Sequence, residues 1–161
     1  MSIQIGDRIP HAQLTVAGEQ GPSPVDAAEL LGHGRVVLFA VPGAFTPTCS
    51  AQHLPSYLEH FDALKARGVD SIVCTAVNDI FVLSAWAKHS GIEKQIVMAA
   101  DGNGEFARAL GLELDAQAFG MGSRSQRYAL IIQDGVVQDV LVEGPGEYRV
   151  SSAEYVLERL G

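Results

Sequence analysis

The residue best placed to do chemistry is Cys49. It sits between an apolar run, Val36-Val37-Leu38-Phe39-Ala40, and a segment with Leu54, Tyr57, Leu58, Phe61 and Leu64 at helical spacing that ends near Gly68. The run reads as a buried strand over about 35–41 and the segment as a helix over about 48–67. Thr46 is the expected N-cap and Pro47 the first helical residue, which puts Cys49 in a first turn whose backbone N–H groups lack intrahelical partners. A helix N-terminus favours negative charge, and so a thiolate over a thiol. It is not sufficient alone. Lowering a cysteine pKa from ~8.5 to ~6 takes roughly 3.4 kcal/mol, whereas a helix end supplies ~0.3–1 and at best ~2 kcal/mol. A reactive thiolate here needs a cation from elsewhere in the chain. Arg124 and Arg127 are the candidates, because they precede the apolar run Tyr128-Ala129-Leu130-Ile131-Ile132. A residue at the start of that strand can reach the helix start of a neighbouring strand–helix unit. The plainer readings are a packed thiol and solvated strand-end arginines.

The remaining reactive residue types form weaker patterns. Cys74 lies in Ser71-Ile72-Val73-Cys74-Thr75-Ala76-Val77 and reads as a small buried hydrophobe. The five histidines show no metal-ligand pattern; His53 and His60 are two helical turns apart and read as solvated or packed. Asp101-Gly102-Asn103-Gly104-Glu105 imitates a calcium loop, but Phe106 and Leu112 occupy its sixth and twelfth positions. Gly120-Met121-Gly122 lacks the third glycine of a dinucleotide fingerprint, since Ser125 stands there. Neither a phosphate-binding lysine loop nor a serine nucleophile elbow is present. Trp86 shares a helix with Leu83 and reads as core. Nothing here calls for a metal or a bound cofactor.

The elements that must position Cys49 follow from apolar period and turn chemistry. Ala12 to Val16 alternates, Gly18 to Pro24 reads as a loop, and Asp26-Ala27-Ala28-Glu29 has capping-box spacing before a short helix ending at Gly32. Pro55 falls inside the Cys49 helix, where it removes a backbone donor and should kink the axis. Val69 to Val77 is a second strand, and Asn78 is the expected cap of a helix over about 79–89. Ile96 to Ala99 is a third, and Asp101 to Gly104 turns into a helix through Leu110, stopped by Gly111. Residues 112–126 lack a period and read as loop. Arg127 to Gln133 and Val136 to Val142 form a hairpin around Asp134-Gly135. Ser151-Ser152-Ala153-Glu154 has capping-box spacing before a C-terminal helix through Leu160. This order implies an α/β fold, a mixed central sheet with helices on both faces. Residues 1–161 read as a single domain without repeats or linkers.

The formal net charge of −8 argues against nucleic acid and against an anionic membrane surface as partners. The first residues lack a signal-peptide pattern, no apolar run approaches a membrane span, and two distant cysteines do not make a disulfide framework. The expected setting is the cytoplasm.

The run Pro42-Gly43-Ala44-Phe45-Thr46-Pro47-Thr48-Cys49-Ser50 resembles the active-site loop of the peroxiredoxins, with Pro, three residues, Thr, two residues, Cys. Its wording is similar to the peroxiredoxin-five and plant type-two subfamily. The resemblance continues through His53-Leu54-Pro55, Val77-Asn78-Asp79, Trp86, Ala100-Asp101 and Arg124 to Gly135, nearly the whole chain. It implies a thioredoxin-like fold and a thiol peroxidase acting on hydrogen peroxide and small alkyl hydroperoxides. Cys49 would be the peroxidatic cysteine, with Pro42, Thr46 and Arg127 matching family site residues and Arg124, at a second arginine position, expected with Gly43 and Thr48 to bind the substrate. Gly43 and Thr48 belong to the loop whose backbone N–H groups would meet the peroxide. The resemblance also suggests a homodimer. Animal two-cysteine members carry a resolving cysteine in the region matching Glu143 to Ser152, which has none here. Plant members have a second cysteine at the spacing of Cys74, twenty-five residues after Cys49. A one-cysteine cycle with an external thiol (glutathione with glutaredoxin, or thioredoxin) is therefore expected, with Cys74 as resolving residue the open alternative. A disulfide oxidoreductase is disfavoured, because Gln52 stands where a Cys-x-x-Cys motif needs its second cysteine. A peroxide-sensing switch or adaptor is the non-enzyme alternative.

Overall fold

The computed structural model describes residues 2–92 and 94–160. Among these the strands are β1 (Gln13–Gly18), β2 (Gly21–Asp26), β3 (Arg35–Ala40), β4 (Ser71–Ala76), β5 (Val97–Ala100), β6 (Glu113–Asp115), β7 (Ser123–Ser125), β8 (Tyr128–Gln133) and β9 (Val136–Val142). The helices are α1 (Ala27–Leu30), α2 (Leu54–Glu59), α3 (Phe61–Ala66), α4 (Ile80–His89), α5 (Glu105–Leu110) and α6 (Ala153–Leu160). One sheet runs β2-β1-β5-β4-β3-β8-β9, with β3, β4 and β5 parallel and the flanking pairs antiparallel. The central strands are buried on both faces, which is why they read as continuous apolar runs.

Strand alternation divides the core. Val37, Phe39, Cys74 and Ala76 face a cluster that includes Tyr57, Leu64, Leu83, Trp86 and Val156 from α2, α3, α4 and α6. Val36, Leu38, Ala40 and Val73 face the opposite cluster, with Ala27 of α1 and Phe106 and Leu110 of α5. The mixed sheet with helices on both faces is the architecture the order of elements predicts.

Four local differences have physical causes. Residues expected as loop form β2, which carries Pro22 and Pro24; it is an edge strand, so alternate N–H groups can be missing at no cost to the ladder. The expected cap Asp26 makes no side-chain cap bond, because its carboxylate accepts instead from Ala12 N–H at 3.1 Å and pairs with His11 at 2.6 Å. Residues 112–126 contain a short ribbon, β6 with β7, around a 3-10 turn at Gln117–Phe119. In the C-terminal box the cap is one residue later than expected, with Ser152 Oγ accepting from Tyr155 N–H at 3.2 Å. The β8–β9 hairpin is as predicted, Asp134 (φ +50°) and Gly135 (φ +81°) taking the positive angles its tight turn requires.

Helix α4 is capped by Asp79, not Asn78: Asp79 Oδ1 accepts from Val82 N–H at 2.9 Å. Asn78 is free for another task, its Oδ1 accepting from Ala44 N–H at 2.9 Å. Asp79→Ala is expected to cost about 1 kcal/mol of stability, read as a shifted denaturation midpoint with unchanged slope.

Candidate active site

The helix bearing Cys49 begins at Pro47, as the sequence predicts, but opens as a π turn over Cys49–His53. Leu54 N–H bonds to Cys49 O, five residues back. Pro55 follows at once with no N–H to offer, so the wide turn absorbs the irregularity expected there. A second break at His60 separates α2 from α3, where one continuous helix was expected.

The loop before this turn is tightly held. Thr46 Oγ1 donates to Gly43 O at 2.6 Å, and Thr46 O accepts from Ser50 N–H at 2.9 Å. Among the described residues no helix N–H donates to Thr46 Oγ1, so the side-chain N-cap expected of this residue is absent. Its single hydroxyl proton is committed to Gly43, which leaves the oxygen to act only as an acceptor toward a ligand. Gly43 sits in close quarters: a Cβ there would lie 3.1 Å from Arg124 Nη1 and 3.2 Å from both Met121 Cε and Thr46 Cγ2, so those side chains would have to give way. Phe45 adopts φ +64°, a strained angle for an aromatic residue, beside the ring of Trp86 at 6.5 Å. Trp86 Nε1 donates to Ser50 Oγ at 2.9 Å, fixing the residue that follows Cys49.

Of the two candidate arginines, Arg127 reaches the sulfur. Its Nη2 donates to Cys49 Sγ at 3.1 Å and its Nη1 to His53 Nδ1 at 2.8 Å. Arg124 braces loops instead, donating to Met121 O at 2.9 Å and to Pro42 O at 3.5 Å. The cation demanded by the helix-end magnitude comes from the start of β8, next to β3 in the sheet.

His53 is the component that sequence reasoning missed. It is fully buried among Phe39, Tyr57 and Tyr148, with ring centroids 4.9, 5.7 and 5.3 Å away. Its Nε2 lies 3.0 Å from Ser151 O, a carbonyl that can only accept, so the ring proton sits on Nε2. Nδ1 is then the acceptor for Arg127. Burial first, and the Arg127 charge second, lower the His53 pKa from 6.5 to about 3, with the Ser151 carbonyl partly opposing. The ring is neutral at any ordinary pH and serves as a rigid acceptor.

The chain of contacts continues outward. Ser151 O also accepts from Tyr57 OH at 2.7 Å, and Glu143 Oε2 accepts from Ser151 N–H, Ser151 Oγ and Arg149 N–H at 2.7–2.8 Å. Burial raises the Glu143 pKa, but these hydrogen bonds outweigh it and hold the carboxyl below its usual range. His53 lies four residues after Cys49 and shares its Arg127 contact; the signal is spacing to the cysteine, not to another histidine.

Cys74 lies on β4 beside Phe39 of β3, fully buried in the same cluster as Cys49. Burial, then proximity to Cys49, push its thiol well above the ordinary value. Both cysteines are free thiols. A pocket of about 340 Å³ opens between Pro42 and Thr48 on one side and Leu114, Arg127 and the 143–147 turn on the other.

A buried thiol at a helix start, touched by a guanidinium at the edge of an open pocket, defines a site built for thiol redox chemistry on a thioredoxin-like sheet. Residues 4–157 match the Redoxin family. The chain is 43% identical over 159 residues to Peroxiredoxin-2B of Arabidopsis thaliana, covering 98% of each chain. Reduced Prx3 of Vibrio vulnificus in complex with H2O2 is similar at 48% identity and a TM-score of 0.95, with 99% of each chain covered. The Plasmodium falciparum antioxidant protein, a 1-Cys peroxiredoxin, is similar at 30% identity and a TM-score of 0.92, with 98% of each covered. The chain belongs to the peroxiredoxins of the Redoxin family, which are thiol-dependent peroxidases.

Proposed function

We propose that the peroxidase reduces hydrogen peroxide and small alkyl hydroperoxides at Cys49 and is recycled by an external thiol. The Arg127–Cys49 contact at 3.1 Å carries this reading. The Cys49 thiolate attacks one peroxide oxygen, the O–O bond breaks, and the leaving oxygen takes a proton to depart as water or an alcohol. The sulfur is oxidised by two electrons to a sulfenic acid. Arg127 supplies positive charge to the thiolate and to the charge that shifts onto the leaving oxygen. Thr46 Oγ is placed to accept from the peroxide hydroxyl, Pro42 shields one side of the site, and Thr48 lines the pocket through which the substrate enters. Gly43 lets this loop close on Arg124, which holds it in place.

An external thiol then condenses with the sulfenic acid, releasing water and leaving a mixed disulfide. A second thiol reduces that disulfide and restores Cys49. Glutathione with glutaredoxin, or thioredoxin, fits this step, and a reducing cytoplasm suits both. The one-cysteine cycle is supported by the burial of Cys74, by the lack of cysteine in residues 143–152, and by the likeness to a 1-Cys peroxiredoxin. The exposed rings of Phe45, Phe81 and Phe119 support a homodimer.

One equivalent of peroxide without reductant, followed by intact-mass measurement, tests the cycle. The expected result is a gain of one oxygen that Cys49→Ser abolishes and Cys74→Ser does not. Loss of two hydrogens requiring both cysteines would make Cys74 the resolving residue. Single oxidation with no turnover by any donor thiol would favour the sensing role.

A further inference from the structure

Arg127 is held in an unusual way for a working cation. Among the described residues no carboxylate pairs with it. Its two bonds, Nη2 to Cys49 Sγ and Nη1 to His53 Nδ1, both lie at the rim of the guanidinium. Two rim contacts fix a line through the plane and leave it able to tilt about that line. A carboxylate would stop the tilt, but its charge would offset the positive charge the sulfur needs. An aromatic face can hold a cation without neutralising it.

Tyr148 supplies that face. Cζ of Arg127 stands over its ring, 6.0 Å from the centroid. The same ring lies 5.3 Å from the His53 ring, at 59° to it. The Tyr148 hydroxyl donates to Gln52 O at 3.2 Å, and Gln52 belongs to the π turn that carries Cys49 and His53. Burial raises the Tyr148 pKa above its ordinary value, so the phenol keeps the proton it donates. One side chain thus touches the cysteine's turn, the imidazole and the guanidinium, although Arg127 comes from the start of β8.

The segment bearing Tyr148 is itself pinned on both sides. Glu143 N–H donates to Arg127 O at 3.0 Å. The Glu143 carboxylate turns away from Arg127 to accept from Arg149 N–H, Ser151 N–H and Ser151 Oγ. Ser151 O in turn accepts from Tyr57 OH and His53 Nε2. Residues on either side of Tyr148 are therefore fixed to the same two elements it touches, and its ring arrives in a defined place.

We propose that Tyr148 is a positioning residue, its ring setting the tilt of Arg127 and its hydroxyl fixing the π turn at Gln52, so that guanidinium and sulfur stay in register. The proposal rests on the peroxidase reading above.

Two variants of the full chain separate ring from hydroxyl. Tyr148→Phe keeps the ring and is expected to slow Cys49 oxidation by hydrogen peroxide about threefold. Tyr148→Leu loses both and is expected to slow it about tenfold or more. Tyr148→Met is the second ring-free variant should leucine disturb folding. The pH profile of Cys49 alkylation by iodoacetamide is the readout that a merely structural role would not move. A guanidinium that tilts off the sulfur favours the thiolate less, so the profile should shift to higher pH in the ring-free variant and little in Tyr148→Phe. A ring-free variant with unchanged rate, or with a lower rate and an unmoved profile, would overturn the proposal. A Tyr148→Phe rate equal to that of the unmodified chain would overturn the role of the hydroxyl, and one as low as the ring-free rate would overturn that of the ring. Alkylation needs no peroxide, which keeps the two readings apart. If the profile shifts as expected while the unmodified chain fails to reduce peroxide, the positioning stands and the peroxidase reading falls. Full peroxide turnover with both variants unaffected gives the reverse.

Discussion

Arg127→Gln is expected to slow the reaction of Cys49 with hydrogen peroxide by about 10²–10³-fold, the usual effect of removing one preorganised donor from developing negative charge. Two contacts are lost together: the Nη2 donation to Cys49 Sγ at 3.1 Å and the Nη1 donation to His53 Nδ1 at 2.8 Å. Arg127→Lys should recover little of the rate. A lysine restores the charge but not the planar fork that meets sulfur and imidazole at once. Arg124→Gln provides the contrast, because Arg124 bonds to the carbonyls of Met121 and Pro42 and is not bonded to the sulfur. Its loss should loosen the loop and cost far less in rate. The measurement is the second-order rate constant of Cys49 oxidation, followed by rapid mixing with Trp86 as a fluorescent reporter. Trp86 is the single tryptophan and its Nε1 donates to the Ser50 hydroxyl beside Cys49. Unchanged rates in Arg127→Gln would show that the guanidinium contact carries no catalytic weight.

The parts of this site legible in the sequence were those written locally. Val36 to Ala40 announces a strand buried on both faces, and Asp134-Gly135 announces a hairpin, because each depends on neighbours in sequence. Together they place Arg127 at a strand start beside β3, and hence near Cys49. The cation requirement followed from a magnitude, since a helix end falls short of stabilising a thiolate alone. What escaped notice depends on distant partners. His53 looked like any packed histidine because its functional neighbour is 74 residues away and its tautomer is set by Ser151, 98 residues away. Asn78 resembled a cap because Asp79 beside it is equally able to be one; the choice is made by Ala44 N–H, which the folded loop delivers to Asn78. Thr46 was similarly redirected to Gly43. The ribbon β6–β7 and the edge strand β2 are partly exposed, so no buried face imposes an alternation on their residues.

His53 should leave its mark on stability as a function of pH. In the unfolded chain the ring titrates near 6.5, while in the native protein it stays neutral down to about 3. Between those values the unfolded state binds the extra proton, so native stability rises with pH across the window and is lost as pH falls. One proton corresponds to a slope of at most about 1.4 kcal/mol per pH unit. Carboxylates titrate in part of the same range, so the signature is the difference between the unmodified protein and a variant. His53→Gln keeps an acceptor for Arg127 and a donor for Ser151 O but has no titration. Its denaturant midpoint should vary less with pH between 6.5 and 4, and its peroxide rate should fall only modestly. His53→Leu removes the same slope but leaves half-buried Arg127 Nη1 without its imidazole acceptor, a loss of at most about 1–3 kcal/mol. Misplacement of the guanidinium should then lower the rate by ten- to a hundredfold. Retention of activity by glutamine but not by leucine, with both flattening the pH profile, would assign His53 the positioning of Arg127. Equal slopes in all three proteins would instead mean that the native ring takes up its proton near 6.5, and would overturn its assignment as a neutral acceptor.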